Sequence, residues 1–359
     1  MKIGIMSMHR VRNYGSFLQA YGLKALLERQ GHRVRFIDIE SAPASQKPTR
    51  LSRWKHRLHK VDRYFFKQIR FNNIRRNNVA MFQEVQKTFL HLEECTTPAD
   101  CDAVVIGSDE IFNCDSKGPW KITPERFGDV PCETVISYAA SCGYTGVADI
   151  CPAHQPLIQQ GLAHLSAVSV RDENTAYFVE EIRGGEVLRH LDPVLIYDFD
   201  EELRCAEEAG LPKMPYMVVY AYHGRIHNPE EIQAIRSYAK KHKLKTVAIG
   251  GVLPWCDSYV SITPFEVLAY FRHAACVVTD TFHGTVLSAK YNKPFAVFVR
   301  DSNANKLEDL LERLHIQEHA VREVSALATV LESAGDYTAC NRIVAGERVR
   351  AVDYLKRML

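Results

Sequence analysis

The sequence predicts an α/β protein with two βαβ-rich halves, and three observations predict it. Short apolar runs alternate with segments of helical apolar spacing throughout the chain. Several of those runs end abruptly in small or polar residues and pass straight into a helix, as strands of a parallel sheet do. The chain has 359 residues, more than a single core usually serves, so two domains are expected.

Taken in order, residues 2–6 read as the first strand. Residues 9–16 form a polar, glycine-containing loop, and 17–28 a helix closed by Gly31, with a second strand over 34–39. The crossover Asn13-Tyr14-Gly15-Ser16 is either an N-cap or a ligand-facing loop. It lacks a full G-x-G-x-x-G pattern, which argues against a dinucleotide site there. Between Lys47 and Arg76, eleven Lys or Arg residues face one acid, Asp62, with aromatic residues interleaved. That composition suits a helical insertion packed on its parent domain, or one lying on an anionic membrane surface.

Residues 101–107 form a buried strand running into Ser108-Asp109, where Asp109 is a base, a hydroxyl ligand or a helix cap. A further strand covers 135–141. The next ends at Arg171, which is either a planar clamp for a carboxylate or phosphate or the partner of Asp172 or Glu173. The second half repeats the scheme, with strands at 216–222, 245–249, 274–278 and 293–298 and helices at 229–241, 265–273 and 306–314. A terminal helix is expected over 341–359. The domain boundaries are therefore 1–197 (with the insertion at about 47–76), 198–340, and a C-terminal helix 341–359 that packs back on the first domain.

The richest stretch is Val277-Val278-Thr279-Asp280-Thr281-Phe282-His283-Gly284-Thr285. A buried strand ends there in polar residues at the carboxyl edge of a sheet, where open α/β sheets bind ligands. The helix that follows offers unpaired N–H groups to an anion, and His283 has the chemistry of a general acid or base near neutral pH. Asp280 either orients His283 or caps the helix.

Bulk composition narrows the class. The formal net charge is only +2, which gives no reason to expect nucleic acid as a partner. No run of about 20 apolar residues is present, so no membrane-spanning helix is expected. The N-terminus is too short and too quickly polar for a signal peptide, and none of the ten cysteines forms a C-x-x-C pair. Reduced thiols, a cytoplasmic address and no metal centre are the expectations.

Seven stretches in order resemble the polysaccharide pyruvyl transferase family: Asn13 to Tyr21, Ile106-Gly107-Ser108-Asp109, Ser137 to Gly143, Val168 to Arg171, Leu191-Asp192-Pro193, Val278 to Thr285, and Asn292-Lys293-Pro294-Phe295. Phe112 stands where the family often has a tryptophan. The resemblance implies two Rossmann-like domains facing a cleft, as in GT-B glycosyltransferases, with an acceptor-side first domain and a donor-side second one. It implies transfer of the enolpyruvyl carbons of phosphoenolpyruvate onto sugar hydroxyls, with phosphate released and a pyruvate ketal formed in surface polysaccharide biosynthesis. No cofactor is implied beyond phosphoenolpyruvate as donor substrate.

His283 is then the catalytic acid and Asp109 its companion at the acceptor hydroxyl. Arg171, Phe282, Gly284, Thr285 and Lys293 fall on the donor side, with Asn13, Tyr14, Gly15 and Ser108 across the cleft. The acceptor is a sugar or a lipid-linked oligosaccharide, which suits peripheral contact with the inner face of a membrane and leaves room for a homo-oligomer. Two other readings stand beside this one: a GT-B glycosyltransferase using a nucleotide sugar, and a non-catalytic glycan-binding protein.

Overall fold

The computed structural model describes residues 1–40, 77–116, 118, 120–207, 210–300, 302–333 and 335–359. The basic segment 47–76 lies outside the described residues, and so does the expectation attached to it. Two six-stranded sheets account for the strands. The first contains β1 (Lys2–Met6), β2 (Arg33–Ile37), β3 (Ala103–Asp109), β4 (Thr134–Ala140), β5 (Ser169–Val170) and β6 (Leu188–Arg189) in the order β2-β1-β3-β4-β5-β6. The second contains β7 (Tyr216–Tyr220), β8 (Lys245–Ile249), β9 (Ser258–Tyr259), β10 (Cys276–Thr279), β11 (Phe295–Phe298) and β12 (Ala320–Val321) in the order β12-β11-β10-β7-β8-β9.

Every neighbouring pair is parallel; Ile5 pairs with both Phe36 and Val105, and Val278 lies opposite Val219. Strands covered on both faces need continuous apolar side chains, and Ala103–Asp109, Tyr216–Tyr220 and Cys276–Thr279 are buried along their whole length. The two-residue strands β6, β9 and β12 are absent from the sequence expectation, since two residues cannot display a period or an apolar run.

Strand order fixes where ligands fit. In the first sheet β1 is flanked by β2 and β3, so successive connections leave it in opposite directions. In the second, β7 is flanked by β8 and β10. Such reversals open a crevice beyond the carboxyl ends of the strands.

Helix α1 (Tyr14–Glu28) follows β1 and begins three residues before the apolar pattern does. Asn13 caps it, its Oδ1 accepting from Ser16 N at 2.7 Å. Helix α2 (Glu173–Arg183) is capped by Asp172. The second domain carries α3 (Pro229–Lys241), α4 (Pro264–His273), α5 (Phe282–Lys290) and α6 (Ala304–Arg313), and α7 (Thr338–Met358) ends the chain. One apolar cluster runs through both domains: Phe17 and Tyr21 of α1 meet Phe265 of α4 at ring separations of 5.6 and 5.0 Å. Helix α7 returns to the first sheet, where Tyr354 Oη donates to Ser137 O at 2.8 Å and its ring lies 4.8 Å from that of His190.

At the C-terminal end of α5, Lys290 Nζ donates to Tyr197 O at 2.6 Å beside the Phe199 ring. Burial pushes this ammonium down to about 7. Above that pH the unfolded chain binds a proton that the folded chain has released, so this residue makes stability rise with pH toward 10.5, the ordinary lysine value. The difference in denaturant midpoint, wild type minus Lys290→Met, is therefore expected to become more positive from pH 7 to pH 9. A gap unchanged with pH would show that Lys290 stays charged.

Candidate active site between the two sheets

The loops leaving the four strands at the two reversals face one another across a cleft of about 430 Å³. Asn13 and Ser16 enter it after β1, Asp109 and Glu110 at the end of β3, Tyr222 and Arg225 after β7, and Asp280 to His283 after β10. Thr281 caps α5, its Oγ1 accepting from Gly284 N at 3.0 Å, which sets His283 as the second helical residue. Gly284 is needed because a Cβ there would lie 2.1 Å from Thr279 Oγ1.

His283 is only 5% exposed. Its Nε2 makes no hydrogen bond and lies 3.5 Å from Asp192 Oδ2. The other side of the ring rests on α1, where a Cβ on Gly15 would fall 2.1 Å from Nδ1. Glycine at 15 is thus a requirement of the imidazole, not of the helix.

Asp192 stands between Arg171 and His283. Its Oδ2 accepts from Arg171 Nη1 at 3.0 Å, and its Oδ1 accepts from Val194 N as the cap of the short helix Pro193–Ile196. Burial pushes this carboxyl up, but His283, Arg171 and the Val194 N–H more than offset it and hold it below the usual aspartate range. Arg171 also lies 3.5 Å from Asp109 Oδ1 and 4.0 Å from Asp172 Oδ2, with its guanidinium 4.1 Å above the Phe282 ring. Burial works against its charge, and the surrounding carboxylates outweigh burial. Asp109 has φ +69 and accepts from Ser16 Oγ at 2.6 Å.

At the far wall Lys306 of α6 donates to Glu110 Oε1 at 2.5 Å, joining the two domains. Burial raises the Glu110 carboxyl, and Lys306 with Arg171 brings it back below its ordinary value.

The family model for polysaccharide pyruvyl transferase matches residues 13–302. The chain belongs to that family. Among solved structures it resembles UDP-GlcNAc 2-epimerase from Methanocaldococcus jannaschii, with a TM-score of 0.52 at 11% identity, covering 99% of this chain and 100% of that one. It also resembles UDP-GlcNAc 2-epimerase from Neisseria meningitidis bound to UDP-GlcNAc, with a TM-score of 0.50 at 12% identity and coverage of 99% and 100%. At that identity the likeness concerns the fold alone: two parallel-sheet α/β domains of GT-B type. A comparison with curated proteins gives no match.

In this pyruvyl transferase family member, His283, Phe282, Arg171, Asp109 and Asn13 line one cleft, with Gly15 against the His283 ring. Other candidates lie elsewhere. The Ser108 hydroxyl is fully buried and donates to Ala139 O at 2.9 Å, so it serves the sheet. Tyr14 Oη donates to Ile262 O at 3.0 Å, and this residue lines a second cavity. The Gly284 and Thr285 N–H groups are taken by Thr281, at 3.0 and 3.2 Å, and the Thr285 hydroxyl donates to Thr281 O. An anion at this helix start would therefore meet the N–H groups of Phe282 and His283, which precede the first intrahelical bond.

Lys293 precedes β11, and strand starts in a parallel sheet lie on the edge opposite the cleft, so it is outside the site. Arg171 is enclosed by three aspartates and is less a free clamp than the hub of the centre. Asp280 neither caps α5 nor faces His283. Both its oxygens lack hydrogen bonds, Arg300 Nε and Arg225 Nη1 stand 3.5 and 3.7 Å away, and burial pushes its carboxyl up.

Asp192, Arg225, Glu110 and Lys306 were not among the sequence candidates. Arg225 was within reach, because Tyr222-His223-Gly224-Arg225 is one more strand end turning polar. One grouping of metal-ligand type was also missed: His9, Asp38 and Cys95 have ligand atoms within 4.8 Å of one another. Arg10 already forks to Asp38 at 2.5 and 2.7 Å, which makes the grouping an ion pair. Among the described residues no helix is long and apolar enough to cross a membrane.

Proposed function

We propose that this family member is a ketal-forming pyruvyl transferase acting in surface polysaccharide assembly, with phosphoenolpyruvate as donor and a sugar with two hydroxyls that can reach one carbon as acceptor. The observation that carries the reading is His283: a nearly buried imidazole in the cleft, with Nε2 unpartnered and a carboxylate 3.5 Å away. The protonated imidazole is the form that can give a proton to the terminal enol carbon. That carbon becomes the methyl group, and positive charge develops at the adjacent carbon.

A sugar oxygen then bonds to that carbon while its proton passes to Asp109, which already accepts from the Ser16 hydroxyl. The second sugar oxygen bonds to the same carbon as the bond to the phosphate oxygen breaks. Inorganic phosphate leaves with the proton that Asp109 took up, and the proton of the second hydroxyl returns to the imidazole. Phosphoenolpyruvate carries two anionic groups. Arg225, Lys306 and the first N–H groups of α5 are the donors suited to receive them.

The test is release of inorganic phosphate from phosphoenolpyruvate across a panel of sugar acceptors. Release that depends on the sugar supports the reading. No release with any acceptor, together with thermal stabilisation by nucleotide sugars and none by phosphoenolpyruvate, would favour a glycosyltransferase instead. Lys293→Ala, at the opposite edge of the sheet, is expected to keep the rate within about twofold, as surface changes remote from a site do.

A further inference from the structure

Asp109 and Ala140 lie opposite each other where β3 and β4 end. The loops that leave them run side by side to the mouth of the cleft, and exposure rises from 9% at Asp109 to 51% at Tyr144. Hydrogen bonds lace the two loops together: Phe112 N donates to Ser141 O at 3.0 Å, Cys114 N to Thr145 Oγ1 at 3.1 Å, and Tyr144 Oη to Asp115 Oδ2 at 2.6 Å. Asn174 of α2 braces the second loop, its Nδ2 donating to Thr145 O at 2.9 Å. Gly143 has φ +67, and a Cβ on it would lie 2.5 Å from Glu110 Oε2, so the loops are pressed into contact.

Tyr144 therefore offers the cleft an open ring on a fixed mount, whereas Phe112 nearby is fully buried against Phe127, with ring centres 5.5 Å apart. A lone exposed tyrosine is ordinary. What marks this one is its company. Asp109, Glu110 and Asp115 line the cleft along the first of the two loops. The cations near them are occupied: Arg126 donates from Nε to Ile111 O and from Nη1 to Lys121 O, both at 2.9 Å, and Lys306 across the cleft is paired with Glu110. A pyranose ring has an apolar C–H face and a rim of hydroxyl donors. The first suits an open aromatic face, and the second suits carboxylates, each of which can accept several hydrogen bonds. An anionic sugar would meet like charge here.

We propose that Tyr144 is the platform for a second, uncharged sugar residue of the acceptor, next to the residue whose hydroxyls react. The acceptor is then a disaccharide or a longer glycan. Its reacting residue lies deep, at Asp109 and His283, and the next residue lies on the Tyr144 face with hydroxyls toward Asp115. The reaction of the deep residue rests on the pyruvyl transfer proposed above; binding at Tyr144 does not.

The test is a ligand-observed NMR titration of the full-length protein, without phosphoenolpyruvate. The probes are cellobiose, lactose and N,N′-diacetylchitobiose, their monosaccharides, and the two monouronate forms of cellobiose. At least one neutral disaccharide is expected to bind about tenfold more tightly than its monosaccharides, and cellobiose more tightly than either of its uronates. Tyr144→Ala, at an exposed position outside the core, should bring the disaccharide down to the monosaccharide level. Tyr144→Phe keeps the ring without the bond to Asp115 and should keep most of the gain. In phosphate release, the loss in Tyr144→Ala should fall on KM for the disaccharide rather than on kcat, a split that a merely structural role would not give.

Disaccharides bound no better than monosaccharides would overturn the assignment, as would a gain that survives Tyr144→Ala or a uronate bound more tightly than cellobiose. Sugar-dependent phosphate release with the same disaccharide KM in wild type and Tyr144→Ala would sink this inference alone. A disaccharide gain lost in Tyr144→Ala, without phosphate release from any acceptor, would support the platform and sink the proposed reaction.

Discussion

His283→Ala is expected to slow sugar-dependent phosphate release from phosphoenolpyruvate by about 10²- to 10⁴-fold, the usual contribution of a positioned acid. The loss should fall on kcat. The donors suited to the anionic groups, Arg225 and Lys306, are untouched, so stabilisation by phosphoenolpyruvate should survive. His283→Asn provides the control for packing, because it keeps a polar side chain between Gly15 and Asp192 yet cannot deliver the proton. Both variants should lose turnover together. A variant as fast as wild type would remove His283 from the chemistry.

The largest effect on stability is expected from Asp192→Ala, at about 3–5 kcal/mol, because it leaves the buried Arg171 guanidinium without its shortest carboxylate contact. It also removes the cap of the helix Pro193–Ile196. Asp192→Asn should cost less, since it can still accept from Val194 N while losing the charge. The pH dependence has a definite sign. Asp192 is held below its ordinary value of 3.8, so the folded protein takes up its proton less readily than the unfolded chain. The stabilisation is then fully present above the ordinary value and disappears as pH falls through the lower folded one. Denaturant midpoints should show a constant gap between wild type and Asp192→Asn from pH 7 to pH 5, narrowing only below about pH 4. A gap that widens in acid would contradict the ion-pair account.

The parts of this protein legible in its sequence are those written locally. A buried parallel strand announces itself when it is long enough to form an apolar run, as β1, β3, β4, β7 and β10 do. The place of His283 in the cleft was legible because a strand ending in Thr-Asp-Thr and passing at once into a helix sets it at the carboxyl edge of its sheet. Asp192 was visible only as the acid of an Asp-Pro pair. Its importance comes from contacts with Arg171 and His283, which chain folding alone brings near. The burial of Arg171 among three aspartates was hidden for the same reason. Lys293 shows the opposite failure: the resemblance puts it on the donor side, although a strand start and a strand end lie on opposite edges of a parallel sheet. Ser108 shares a strand end with Asp109, yet side chains alternate along a strand, and its hydroxyl is turned into the sheet.

The contact between His283 and Gly15 has a consequence for timing. The histidine is carried by the second domain, while the glycine behind its ring and the aspartate opposite Nε2 belong to the first half of the chain. A motion that parted the domains would also strip the imidazole of its backing and of the carboxylate beside Nε2. In the proposed reaction the acid would therefore be complete only while the two halves of the chain are together.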